Sequence, residues 1–289
     1  MDYSEYLETA IIAAKAGGKV IVDAWELPRV FKTKLVEQDL VTLSDVEVEK
    51  IVKKILLSKY PHHGFIGEEE ASASESSRRS SKYTWIVDPI DGTTNFYHGF
   101  PFVCVCIALA IDSKPVVGVV FNPILNELYT GVVGIGSFLN GRSLPLSKRD
   151  WQSLAQALVI TEFGSDRSIG TTNAKNDTLK DLLIKEKFRG VRCLGSAALN
   201  LCNVAKGAAD VYYEAGLRVW DIAAAGCILC CAGGSVYNWH PENKNDEIDY
   251  FVNSMIGVRP LPNQSQATKI VADIRACLKP INIGRDHKL

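Results

Sequence analysis

The most constraining stretch of the chain is Trp85-Ile86-Val87-Asp88-Pro89-Ile90-Asp91-Gly92-Thr93-Thr94-Asn95. Its apolar opening has the composition of a short buried strand, and Asp88 sets a carboxylate at that strand's open end. Pro89 holds Asp88 extended and lacks the N–H that further pairing would need. Asp91-Gly92-Thr93-Thr94 then reads as a turn opening a helix, where free N–H groups and the helix dipole favour an anion. Two carboxylates three residues apart beside an anion cradle require a cation between them, because they would otherwise repel the anion they face. The same Asp-x-x-Asp-Gly-Thr pattern also forms capped turns without chemistry, and taken alone it leaves both readings open.

Two further acidic positions bear on that choice. Phe65-Ile66-Gly67-Glu68-Glu69-Glu70 puts acids directly after an apolar pair, so a strand-end glutamate can join Asp88 and Asp91. Glu69 and Glu70 read better as a solvated loop. Trp220-Asp221-Ile222-Ala223-Ala224-Ala225-Gly226 sets Asp221 at the head of a helix whose small residues permit close packing. There the competing role is a helix cap, which stabilises by ~1 kcal/mol without chemistry. No His or Cys falls inside these motifs, so the donors are hard oxygens. Such a set suits magnesium, then calcium or manganese, and disfavours zinc.

Helical spacing of apolar residues predicts helices over Tyr3–Trp25, where Gly17-Gly18 marks close packing or a weak point, and over Ser44–Lys59, stopped by Pro61. Short β-rich runs follow at 84–87, 103–110, 116–121 and 127–131. The second half alternates: strands near 157–161, 191–192 and 209–213, and helices near 177–184, 197–204, 221–232 and 265–277. Interleaving of this kind predicts a layered α/β architecture. Residues 71–82 are the one low-complexity segment and read as a solvated loop. At 289 residues the chain is expected to form a single unit of two closely packed halves, about 1–150 and 151–289. A net charge of -1 gives no broad footprint for nucleic acid or an anionic membrane, and the longest apolar run, Phe102–Ala110, is too short to span a bilayer. Most of the eight cysteines lie in apolar runs and read as small core residues, Cys227-x-x-Cys230-Cys231 included. With the acidic, amphipathic start MDYSEYLETA, this points to a reducing, cytoplasmic setting.

In order along the chain, GEEEA, WIVDPIDGTTNF and WDIAAAGCILCCAGG resemble the three signatures of the inositol monophosphatase family. Further similarity lies in residues 34–45, Gly141, Gly195-Ser196-Ala197-Ala198 and Ala209–Glu214, so the resemblance covers about residues 5 to 255. It implies a five-layer αβαβα sandwich of the sugar-phosphatase type and a homodimer. It also implies hydrolysis of myo-inositol monophosphate by direct attack of water, with two to three magnesium ions per subunit and inhibition by lithium. Carried over by position, Glu68, Asp88 and the Ile90 carbonyl would hold one ion, and Asp88, Asp91 and Asp221 a second. Glu68 would also support a weaker third. Thr93, hydrogen-bonded to Asp45, would orient the attacking water, and the Gly92 and Thr93 amides would grip the phosphate. Glu214, with Asp91 and the Ser196-Ala197 backbone, would hold the ring hydroxyls, and Lys34 would lie in a loop over the metals. The alternative is a related phosphatase acting on L-galactose 1-phosphate, histidinol phosphate or, less readily, a 3'-phosphonucleotide. A catalytically silent binding protein would be expected to have lost one of Glu68, Asp88, Asp91, Thr93 or Asp221, and all are present.

Overall fold

The structure, a computed structural model, describes residues 2–27, 31–33, 40–71, 81–149, 151, 153–239, 248, 250–251 and 253–281. Lys34 and most of the Ser/Arg-rich segment lie outside the described residues. The first half runs α1 (Ser4–Trp25), β1 (Phe31–Thr33), β2 (Leu40–Thr42), α2 (Leu43–Lys59), β3 (Gly64–Gly67), α3 (Glu68–Ala71), β4 (Tyr83–Asp91) and α4 (Thr93–His98). It continues with β5 (Cys104–Ile111), β6 (Lys114–Asn122), β7 (Glu127–Val132), β8 (Gly136–Leu139) and β9 (Arg142–Ser143). The second half runs β10 (Leu158–Thr161), α5 (Ile169–Lys185), β11 (Gly190–Arg192), α6 (Ala197–Ala205) and β12 (Val211–Ala215). Then come α7 (Val219–Cys231), β13 (Ser235–Asn238), β14 (Ser254–Val258) and α8 (Gln264–Arg275).

Strands β3 to β9 form a seven-stranded sheet in sequence order, and a five-stranded sheet has the order β11-β10-β12-β14-β13. Three apolar clusters fill the spaces between layers. α1 and α2 cover one face of the larger sheet through Ala10, Ala14, Ile21, Val48, Val52 and Leu56. α6 and α7 fill the gap between the two sheets. α5 and α8 cover the far face of the smaller sheet with Leu182, Ile270 and Ile274. The predicted αβαβα sandwich is therefore present, with α7 at its centre.

Small residues set the spacing of these layers. A methyl group at Gly17 would lie 2.9 Å from Val48 Cγ1, and one at Gly18 2.6 Å from Phe121 Cε1, so the glycine pair is a packing contact and not a break. At Gly118 a methyl would collide with the Ala224 carbonyl, which is why α7 can lie directly on β6.

Several boundaries differ from expectation. β4 does not stop at Asp88 but continues to Asp91. Pro89 is tolerated because β3 pairs with β4 only as far as Gly67 beside Val87, and the pairing with β5 shifts register between Asp88 and Asp91. α5 begins well before residue 177, since Ser168 caps it by accepting the Thr171 N–H. β12 runs to Ala215, so Glu214 lies inside the strand, paired with Met255, and not beyond its end. β8, β9, β13 and β14 were not predicted.

Candidate active site

The register shift in β4 gathers the acids. In a regular strand residues three apart point to opposite faces. Asp88 lies opposite Cys106 and Asp91 opposite Cys104, so two residues of β4 face one of β5, a bulge that reverses the alternation. Accordingly Ile86 packs in the central cluster, whereas Val87 and Ile90 both pack beneath α1 and α2. Asp88, in step with Ile86, and Asp91, beyond the bulge, thus both face α6 and α7. Glu68 arrives by a second route: β3 and β4 are parallel with Gly67 beside Val87, and one step further sets Glu68 beside Asp88.

Asp88 is 2% exposed, and its Oδ1 is buried without a hydrogen-bond partner among the described residues. Burial pushes its carboxyl well above the usual carboxylate range, and Glu68, Asp91 and Asp221 push it further. Asp91 is 8% exposed and is raised by burial to about 6. Opposing that rise are three donors at the head of α6: the Ser196 hydroxyl (2.5 Å), the Ala198 N–H (2.7 Å) and the Ala197 N–H (3.3 Å). The Ser196 hydroxyl also accepts the Leu199 N–H, so one residue caps α6 and fastens Asp91. Asp221 occupies the first turn of α7, where its Oδ2 accepts the Arg218 N–H at 2.7 Å. Burial first, and then Asp91, raise its carboxyl well above the ordinary value.

A buried carboxylate oxygen without a donor, facing three more carboxyls, is stable only with a proton or a cation. The group therefore fits a hard divalent ion held by oxygen. Two thiols also approach: Cys104 Sγ is 3.8 Å from Asp91 Oδ2 and 3.6 Å from Cys106 Sγ. The strand pairing brings them there, which the motif reading did not foresee. Burial raises both thiols, and a protonated thiol is a poor ligand, so the donor set remains oxygen. Of the eight cysteines, Cys104, Cys106, Cys202, Cys227 and Cys277 are buried as expected, Cys193 and Cys230 are exposed and Cys231 is half-buried, so the end of the Cys227-x-x-Cys230-Cys231 run does not lie in the core as expected.

Gly92 adopts φ +91, and a methyl there would sit 2.8 Å from the Phe102 carbonyl, so the turn into α4 requires glycine. The Thr93 hydroxyl lies 3.2 Å from Asp45 Oδ1 and 3.0 Å from the Ile90 carbonyl. With a single proton it donates to one at a time. Glu214, 7% exposed, accepts the Tyr212 hydroxyl through Oε2 and is raised to about 8, by burial first and Glu162 second.

Three polar residues here escaped the sequence reading. Glu49 is buried on α2 and accepts the Glu69 and Glu70 N–H groups at 2.8 and 3.0 Å, which anchors the turn that starts at Glu68. Burial raises its carboxyl to about 7. Its signal was available: Asp45 and Glu49 are one turn apart on the apolar face that carries Val48, Val52 and Leu56. Glu162 accepts the Leu194 and Gly195 N–H groups (2.6 and 2.8 Å) and the Asn200 amide (2.8 Å), fixing the approach to α6. Lys175 on α5 donates to the Phe163 and Ala215 carbonyls at 2.8 and 3.0 Å. Neither position has a local signature, because tertiary packing alone brings them to the site.

The model of the inositol monophosphatase family matches residues 2–279. The chain is 44% identical over 246 residues to the inositol monophosphatase of Mesembryanthemum crystallinum, covering 85% of this chain and 88% of that one. Among solved structures, the extragenic suppressor protein suhB from Bartonella henselae is similar with a TM-score of 0.80 and 30% identity, over 95% of this chain and 98% of that one. The inositol monophosphatase from Anabaena (Nostoc) sp. PCC 7120 is similar with a TM-score of 0.78 and 29% identity, over 98% of this chain and 100% of that one.

Proposed function

The chain belongs to the inositol monophosphatase family and is a phosphomonoester hydrolase, and we propose that its substrate is a myo-inositol monophosphate, cleaved to myo-inositol and phosphate with magnesium. The observation that carries this reading is the set of Asp88, Asp91 and Asp221, buried and raised by burial and by one another's charge, with Glu68 beside them and an Asp88 oxygen that has no partner among the described residues. Glu68, Asp88 and the Ile90 carbonyl would hold one ion, and Asp88, Asp91 and Asp221 a second, with Glu68 supporting a third. When bound, magnesium supplies positive charge against the phosphate and the leaving oxygen.

The chain's own groups do the rest. Thr93, paired with Asp45, orients the attacking water through its hydroxyl, and the Gly92 and Thr93 amides hold the phosphate. Asp91 keeps its place because α6 supplies three donors to it. Glu214, together with Asp91 and the Ser196-Ala197 backbone, takes the ring hydroxyls. In this structure the Ala197 N–H points to Asp91, at the long distance of 3.3 Å. Lithium is expected to inhibit by displacing magnesium, and a homodimer in the cytoplasm is the expected form, with Lys34 near the metals. No described helix is long and apolar enough to cross a membrane.

The test is phosphate release from a panel of small phosphomonoesters with magnesium and with excess chelator. Inositol 1-phosphate is expected to be preferred, with activity lost in chelator. Undiminished turnover in chelator would refute the metal reading, and preference for L-galactose 1-phosphate or histidinol phosphate would refute the substrate.

A further inference from the structure

Strands β10 and β12 are parallel, with Thr161 beside Tyr213. One step further sets Glu162 beside Glu214 at the C-terminal end of the pair, the end where open α/β sheets bind ligands. Two glutamates side by side repel, and Glu162 raises Glu214. The Leu194 and Gly195 N–H groups and the Asn200 amide offset the charge of Glu162. Glu214 has the Tyr212 hydroxyl and the charge of Lys175, both of which favour its ionised form. Asp91, Asp221 and Cys193 also lie in its field.

Lys175 reaches this point from α5. Its ammonium bridges the Phe163 carbonyl after β10 and the Ala215 carbonyl directly after Glu214. A methyl at Gly164 would lie 3.3 Å from Lys175 Nζ and 3.8 Å from Glu214 Oε1, so Gly164 lines the space between cation and carboxylate. Burying an ammonium is costly, and its own value is lowered by burial, opposed first by Glu214. Two backbone carbonyls and a nearby carboxylate compensate. A cation held there fixes three segments at once: the end of β10, the end of β12 and the first half of α5.

We infer that Lys175 is a positioning residue for substrate choice, which locks Glu214 and residues 163–164 into one wall against the hydroxyl-bearing part of a cyclic polyol phosphate. This rests on the reading that Glu214 meets the ring hydroxyls. It predicts that Lys175 acts on discrimination between substrates and not on the attack of water, because it sits on α5, which covers the smaller sheet, whereas Thr93 and Asp45 sit on α4 and α2 beside the larger one.

The experiment compares Lys175→Met, Glu214→Gln and the double variant, with magnesium, on inositol 1-phosphate and glycerol 2-phosphate. Lys175→Met is expected to lower the ratio of the two kcat/KM values by roughly three- to tenfold. The loss should lie in KM for the inositol ester, and the double variant should match Glu214→Gln alone. Equal losses on both substrates, or losses that add to those of Glu214→Gln, overturn the proposal. If Glu214→Gln leaves the ratio unchanged, the Glu214 reading fails and this inference with it. If Glu214→Gln changes the ratio and Lys175→Met does not, only the Lys175 inference fails. Should Lys175→Met not accumulate folded, Lys175→Gln keeps a donor for the carbonyls but loses the charge, and is expected to show a smaller rise in KM, still confined to the inositol ester.

Discussion

Asp88 Oδ1, buried and without a donor among the described residues, is where stability and activity pull apart. Asp88→Asn removes a carboxyl that burial and three acidic neighbours disfavour, so the metal-free protein should melt at the same or a higher temperature. The same change removes a charged donor from both proposed ions, and activity should fall at least ~100-fold, in line with charge stabilisation worth several kcal/mol. A variant that is active, or one that melts well below the parent in chelator, would contradict this account. Thr93 makes a different demand. Its hydroxyl is bound within the chain to Asp45 or Ile90, so Thr93→Ala leaves the turn in place while freeing the water. Steady-state kinetics should then show kcat falling more than KM rises, because orientation matters in the transition state.

At the scale of elements, α7 shows why a cap and a metal ligand need not be alternatives. Asp221 uses Oδ2 to accept the Arg218 N–H and so starts the helix, while its position on the first turn faces it toward Asp88 and Asp91. Asp221→Asn retains an acceptor for the cap, so it should fold like the parent and lose most activity. Asp221→Ala loses both and should also be less stable by ~1 kcal/mol. Equal activity for the parent and Asp221→Asn in a phosphate-release assay would leave Asp221 as a cap alone. The bulge in β4 works at the same scale: without it Asp88 and Asp91 would face opposite layers, and no single ion could lie between them.

Across the whole molecule, β4, β12 and α7 together carry acids whose folded values lie above their ordinary ones: Asp91 at about 6 against 3.8, Glu214 at about 8 against 4.5, and Asp88 and Asp221 higher than usual. A raised acid binds its proton more tightly when folded. Its contribution to stability is complete below the unfolded value and is lost as pH rises through the folded one. The chelated protein should therefore lose stability between about pH 4 and pH 8. Cations favour the ionised forms, so magnesium should raise the melting temperature more at pH 8 than at pH 5.5, by roughly 5 °C or more. Calorimetry with and without chelator checks this; a magnesium shift independent of pH would exclude linkage through these carboxyls.

The sequence by itself determined the layers and the chemistry of the donors. Apolar spacing specified α1 and α2, and the run of small residues after Asp221 marked α7 as able to pack closely, because both are read from residues close in the chain. The triplet of acidic motifs was legible for the same reason: strand, turn and helix start are local structures, and Gly92 and Asp221 sit where those structures need them. Even Asn95, the last residue of the main motif, shows the limit of local reading. Its amide donates to the Phe102 and Leu194 carbonyls and so ties α4 to the segment before α6, a link across nearly a hundred residues. Only tertiary structure decided that Pro89 lies within a strand, that Glu214 lies inside β12, and that Ser196 and two amides hold Asp91. Sheet register and the meeting of strand ends brought Glu162, Lys175 and the Cys104–Cys106 pair to the site. Those outcomes depend on which strands pair and by how many residues they are offset, and pairing energy is shared between segments far apart in sequence.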